Sequence, residues 1–170
     1  KRVGWFQPRS FNMGIARQVF EVTQGFAFTR FAEDIELSIR MKKCGFTIGL
    51  VEDAFVYHKR RSTFGEFFRQ VNNFGKGRAL LASVHPEEIK LTHWFPSVFT
   101  AGFLLALLLM FFSIPVLFLP MVLYIAYFFL IFVHSLIVNK NVLVAFFSIP
   151  AAFLQLVGYG LGFFKERMKT

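Results

Sequence analysis

Charged residues are missing from two long stretches near the end of this 170-residue chain. No Asp, Glu, Lys or Arg occurs in 94–139 or in 141–164, so Lys140 stands alone between two uncharged runs. A helix that crosses a bilayer needs about 20 mostly apolar residues, each adding about 1.5 Å. Both stretches are long enough, and the end of the chain is therefore predicted to enter a membrane.

The charge distribution also divides the chain into two regions. Residues 1–93 contain 15 Lys and Arg against 9 Asp and Glu, net +6, whereas residues 94–170 contain 4 against 1, net +3. With 26 Phe and 55% hydrophobic residues, the chain is too apolar for a disordered tail. We expect a partial soluble domain of α/β class over 1–93 and a membrane domain over 94–170.

About three transmembrane or membrane-embedded helices are predicted in the second region, at about 98–116, 119–138 and 142–164. Prolines interrupt helical hydrogen bonding, so the turn between the first two segments is expected at Ser113, Pro115 and Pro120. His134 lies within the second segment and is expected to face other helices or a cavity, as a packing or hydrogen-bonding group rather than a proton carrier.

The basic residues before the first segment predict that the soluble region faces the cytoplasm. Three complete crossings would place the basic C-terminus (Lys165, Arg167 and Lys169) on the opposite side, against the same rule. Two alternatives stay open: the last segment is re-entrant or interfacial, or its boundary lies elsewhere.

Local patterns in the first region predict alternating helix and strand. Residues 33–44 carry acids at the start, bases at the end and Gly45 as a left-handed cap, which indicates a helix. Alternation predicts a strand at 46–50, and a second short strand is expected at 54–57. Helices alternating with strands indicate an α/β layer.

A further helix is predicted to begin at Thr63, where Thr63 and Glu66 have the spacing of a capping box. Its aromatic stripe comprises Phe64, Phe67, Phe68, Val71 and Phe74. Such a stripe packs either against its own domain or along the membrane interface.

Ordered motifs between residues 9 and 78 resemble the C-terminal half of a family 2 glycosyltransferase domain, as found in membrane-bound bacterial enzymes. The matching runs are 11–17 (FNMGIAR), 25–26 (GF), 32–40 (AEDIELSIR), 45–46 (GF), 58–62 (HKRRS) and 69–78 (RQVNNFGKGR). The order of these runs, followed by apolar helices, is more specific than any single one.

The resemblance implies a GT-A nucleotide-sugar domain that transfers a sugar, with inversion, from a nucleotide-diphosphate donor to a lipid-linked or polysaccharide acceptor. Its general base maps onto Asp34, with Glu33 beside it, although both carboxylates could simply cap the helix. Donor and diphosphate contacts map onto Arg60, Arg61, Arg69, Gln70 and Arg78. The four arginines of this set could alternatively form a basic face toward lipid headgroups.

A divalent metal, Mg or Mn, is also implied, with His58 as one candidate ligand. The family's acidic Asp-x-Asp motif is absent from this sequence. We therefore expect the main metal ligands in a missing N-terminal part, and the chain to be a piece of a longer enzyme with negligible activity alone.

The expected location is the bacterial cytoplasmic membrane, with the soluble region in the cytoplasm. Expected partners are the nucleotide sugar, the acceptor and membrane lipids. Nucleic acid is not expected, because the apolar half makes lipid the better anionic partner for the net positive charge. A non-catalytic membrane adaptor is the alternative, since it would need the basic face and the apolar helices but not Asp34.

Overall fold

The computed structural model describes residues 7–112 and 114–169. The chain divides into two compact units, residues 1–60 and residues 61–170. Six α-helices and four short 3-10 turns are present among the described residues. Ser113, expected in the first membrane turn, lies outside them.

The first unit contains two helices, α1 (Arg17–Thr23) and α2 (Glu33–Lys43). The helix predicted over 33–44 is confirmed, since α2 has Cys44 as its C-cap and Gly45 follows with a φ of 83°. A left-handed residue after a helix end lets the last carbonyls find donors. Phe46 N–H supplies one, donating to the Met41 carbonyl at 3.0 Å.

The expected α/β class, and with it a GT-A sheet, is wrong for the part of the chain that the structure describes. Residues 46–50 and 54–57, predicted as strands, are irregular apart from one isolated bridge residue at Gly49. A strand obtains its backbone hydrogen bonds from a neighbouring strand, and residues 7–112 and 114–169 supply no strand to pair with. Alternation alone was therefore insufficient, and Val51, Phe55 and Tyr57 are exposed.

The second unit consists of α3 (Phe64–Val84), α4 (Phe95–Leu109), α5 (Leu119–Asn139) and α6 (Val142–Arg167). The predicted start of α3 is confirmed, because Glu66 N–H donates to Thr63 Oγ1 at 3.3 Å. Helix α6 packs against each of the other three helices. It is therefore the centre of this unit.

Glycines let α3 and α6 approach until their backbones touch. A Cβ added to Gly75 of α3 would lie 2.1 Å from the Tyr159 carbonyl oxygen, and one added to Gly162 of α6 would lie 2.1 Å from the Asn72 carbonyl oxygen. Asn72 Nδ2 donates to the Gly158 carbonyl at 2.9 Å. The partner of the aromatic α3 helix is therefore the last apolar helix of the chain.

Two of these helices, α5 and α6, are long and apolar enough to cross a membrane, whereas α4 has only 15 residues. In the most apolar stretch of each helix, only 6% of the residues of α5 and 11% of those of α6 are buried. The core helix of a soluble protein would be mostly buried. Large side chains such as Leu123, Phe129 and Ile137 are instead more than 60% exposed.

Candidate active site

The predicted catalytic carboxylates lie in the first turn of α2. Asp34 is buried, its Oδ1 accepts the Ile35 N–H at 2.8 Å, and its Oδ2 lies 3.7 Å from Arg9 Nη1. Glu33 Oε1 accepts a bond from Ser10 Oγ at 3.3 Å. The unpaired N–H groups and the helix dipole at this end favour a negatively charged carboxylate.

The backbone enters α2 through an unusual conformation. Ala32, directly before the acidic pair, has a φ of 56°. A left-handed conformation costs a residue with a Cβ about 1–2 kcal/mol, and such strain is concentrated at functional sites. The entry into α2 is therefore held in place by the surrounding contacts.

An internal ion pair fixes the position of α2. Glu36 is 1% exposed and accepts two bonds from Arg40, at 2.6 Å from Nε and 2.8 Å from Nη2. Arg40 also donates to the carbonyls of Thr23 and Gly25. One guanidinium thus joins α2 to the segment that follows α1.

A second bond holds the backbone of the candidate base itself. Ser38 is fully buried and donates from Oγ to the Asp34 carbonyl at 2.6 Å. The candidate base is therefore on a rigid element, which is what precise positioning of a catalytic group requires.

His58, the candidate metal ligand, stacks on Phe11 with ring centroids 4.7 Å apart and planes 9° apart. Beside it, Asn12 Nδ2 donates to the Ala54 carbonyl at 3.3 Å. Within residues 7–112 and 114–169, no group of three or more His, Cys, Asp or Glu could hold a metal ion. These residues do not build a metal centre, and the divalent metal stays a prediction.

The remaining predicted contacts are spread over both units. Arg60 and Arg61 are exposed on either side of the division between the units. Arg69 is exposed and Gln70 is half-buried, near the start of α3. Arg78 lies nine residues further along α3, about 13.5 Å at the usual rise. Arg69 and Gln70 are thus neighbours, while Arg78 belongs to a different part of the helix.

Arg78 is engaged with other groups of its own unit. It lies close enough to Tyr159 on α6 for the two side chains to interact electrostatically. The pKa of His93 is lowered from the ordinary 6.5, chiefly because the imidazole is partly buried. The nearby positive charges of Arg78 and Lys90 lower it further. His93 Nδ1 accepts the Lys90 N–H at 3.0 Å. Arg78 on α3 therefore lies near side chains of both α6 and the turn before α4.

Sequence reasoning did not identify Arg9 and Ser10 as neighbours of the acidic pair. Both are more than 20 residues away along the chain and reach the start of α2 only through the folded loop. The only sequence signal was their place immediately before the first matching run, which begins at Phe11.

Comparison with known proteins identifies the class of this chain. The profile of Glycosyl transferase family group 2 matches residues 10–133, a range that includes the acidic pair, α3 and α4. The chain belongs to this family, and the predicted family 2 glycosyltransferase resemblance is thereby confirmed. The family implies a nucleotide-sugar donor and an acceptor. Searches of curated proteins and of solved structures gave no match.

Proposed function

We propose that this chain carries the general base and the membrane-embedded part of an inverting glycosyltransferase that acts at a membrane surface. The observation that carries the proposal is the buried Asp34 carboxylate, held at the start of a rigid helix inside the family match. Ala32, directly before the acidic pair, holds the backbone in a left-handed conformation of the kind that is concentrated at functional sites.

In the proposed reaction, Asp34 accepts the proton of the acceptor hydroxyl while that oxygen attacks the anomeric carbon of the donor sugar. The new carbon–oxygen bond forms as the bond to the diphosphate breaks, and the nucleoside diphosphate leaves with the bonding electrons. A positioned base typically contributes about 10² to 10⁴ in rate. Arg9 Nη1 lies 3.7 Å from Asp34 Oδ2, so a cation stands beside the proposed base.

Negative charge increases on the diphosphate as it departs, so cations that meet it stabilise the transition state. We assign this role to Arg69, with Gln70 as a neutral hydrogen-bond donor beside it, because both are accessible on α3. Arg60 and Arg61 are exposed candidates for the same charge. Arg78 is a weaker candidate, since it lies nine residues along α3 from Arg69, beside Tyr159 of α6.

For the membrane location, we propose that α5 and the side of α6 facing it lie in the apolar phase. The face of α3 that carries Glu66, Arg69 and Lys76 lies opposite its Val71–Gly75 contact with α6 and would remain in water at the interface. Immersing those charges in hydrocarbon would cost at least about 2.5 kcal/mol each.

The packing of α4 on α6 bears on the orientation. The Trp94 ring contacts Phe163 edge to face at 4.9 Å, and a Cβ added to Gly160 would lie 2.5 Å from the Pro96 carbonyl oxygen. The start of α4 and the basic C-terminus of α6 therefore share one end of the unit. We place this end at the cytoplasmic face of the bacterial inner membrane, in agreement with the positive-inside rule.

The test of sugar transfer uses the protein as its gene encodes it, in isolated membranes. A panel of radiolabelled nucleotide-diphosphate sugars should include one whose label passes to a lipid or glycan with release of the nucleoside diphosphate. Failure to consume any donor, by a protein that is folded and located in the membrane, would favour the non-catalytic adaptor instead.

A further inference from the structure

Five uncharged polar residues of α5 and α6 face one cleft. Between residues 119 and 164, the two helices carry five uncharged polar side chains other than tyrosine: His134, Ser135, Asn139, Ser148 and Gln155. All five line a single cleft of about 620 Å³ between the two helices, together with Tyr127 and apolar residues. The rest of these helices, up to residue 164, presents hydrocarbon and aromatic rings.

Helical geometry explains how the residues converge. Ser148 and Gln155 are seven residues apart, about two turns, and so lie on one face of α6. On α5 the cleft extends from Tyr127 to Asn139, about 18 Å along the helix axis. The cleft therefore extends over several turns of α5, with hydrogen-bonding groups along it.

The polar groups do not satisfy one another across the cleft. Asn139 Nδ2 donates to the carbonyl and Oγ of Ser135 on its own helix, and Ser148 Oγ donates to the Ala145 carbonyl at 2.6 Å. Of the residues that the structure describes, none hydrogen-bonds the side chain of His134 or Gln155. His134 therefore faces α6 across a cavity, one of the two surroundings expected from the sequence.

We propose that this cleft binds a membrane lipid through an uncharged hydroxyl group, as in a diacylglycerol. The largely apolar walls fit acyl chains, and a pocket of this volume is in the usual range for small ligands. Among the residues that the structure describes, no Lys, Arg, Asp or Glu lines the cleft, whereas phosphate is normally met by Arg or Lys. His134 and Gln155 would otherwise be unpaired polar groups in hydrocarbon, which is costly.

This inference rests on the proposed membrane location but not on sugar transfer. The test uses the full-length protein in phosphatidylcholine nanodiscs, with a photoreactive diacylglycerol that carries a diazirine on one acyl chain. Labelled peptides identified by mass spectrometry should cluster within 127–139 and 148–155. Dioleoylglycerol should compete at least tenfold better than dioleoyl phosphatidic acid, which differs by its charged phosphate.

Variants make the assignment specific. His134→Leu combined with Gln155→Leu should reduce labelling affinity about tenfold, the effect of two neutral hydrogen bonds. A matched control, Phe129→Leu with Phe146→Leu, alters exposed side chains of the same helices outside the cleft and should label normally. If the double leucine variant does not fold, the proposal is tested by the competition between the two lipids for labelling of the unaltered protein.

Three results would overturn the proposal. The first is labelling spread evenly along both helices, and the second is equal competition by phosphatidic acid. The third is a dimer that the leucine variant converts to a monomer, which would show that a second copy covers the cleft. Asp34→Asn should label like the unaltered protein, so loss of lipid binding and loss of catalysis are separable.

Discussion

Replacing Gly162 by alanine tests whether backbone contact between α3 and α6 holds the second unit together. The new Cβ would lie 2.1 Å from the Asn72 carbonyl oxygen, whereas a carbon and a carbonyl oxygen normally approach to about 3.3 Å. The two helices must therefore separate by about 1 Å. That movement would also weaken the bond from Asn72 Nδ2 to the Gly158 carbonyl.

The expected cost follows from three contributions. Overpacking of this kind typically costs about 1–3 kcal/mol, and the weakened hydrogen bond adds about 1 kcal/mol. Alanine has a better helix propensity than glycine by about 1 kcal/mol, which partly offsets the loss. The net destabilisation is about 2 kcal/mol, or about 4–8 °C in Tm for a chain of this size.

The assay is thermal unfolding in detergent micelles, followed by the fluorescence of Trp94 in a Trp5→Phe background. Trp94 packs against Phe163, the residue next to the substitution. The matched control is Gly65→Ala in the first turn of α3, where an added Cβ meets nothing within 4 Å. The control should leave Tm unchanged or raise it slightly; equal Tm values for Gly162→Ala and the unaltered protein would refute the reasoning.

Two further predictions concern the ion pair of the first unit and the titration of His93. Arg40→Met removes the guanidinium that donates two bonds to the buried Glu36 and should cost about 3 kcal/mol, seen as faster hydrogen exchange across α2. Arg17→Met, on the exposed pair with Glu21, should cost under about 1 kcal/mol. Similar exchange in both variants would contradict this. Because the pKa of His93 is lowered in the folded protein, the unfolded chain binds more protons once the pH falls below about 6.5. The stability of the fold is therefore complete above about pH 6.5 and declines as the pH drops toward the lowered pKa. His93→Gln, which keeps an acceptor for the Lys90 N–H, should reduce that decline in unfolding experiments from pH 7.5 to 5, and an unchanged pH dependence would exclude His93 as its source.

Local signals in the sequence identified the helices that position the candidate site. The start of α3 was readable because Thr63 accepts a bond only three residues away, and the end of α2 because Gly45 takes a left-handed conformation. Such signals act within one or two turns of the chain. They therefore do not depend on the rest of the fold.

The contacts that were not predicted connect distant residues. Asn72 and Gly158, which join α3 to α6, are 86 residues apart, and no local pattern links them. The strands failed for a related reason, since alternation at 46–50 describes one strand and says nothing about whether a partner exists. The convergence of His134 and Gln155 likewise required the packing of α5 on α6.

The central claim is that Asp34 removes the proton from the acceptor hydroxyl, and the rate of sugar transfer by Asp34→Asn tests it most directly. The substitution keeps the size of the side chain and its capacity to accept the Ile35 N–H, but removes the basic oxygen. In the protein as its gene encodes it, kcat should fall about 10² to 10⁴-fold while membrane location and folding are unchanged. The matched control is Asp53→Asn, at an exposed turn of the same unit. Turnover by Asp34→Asn equal to that of Asp53→Asn would contradict the account.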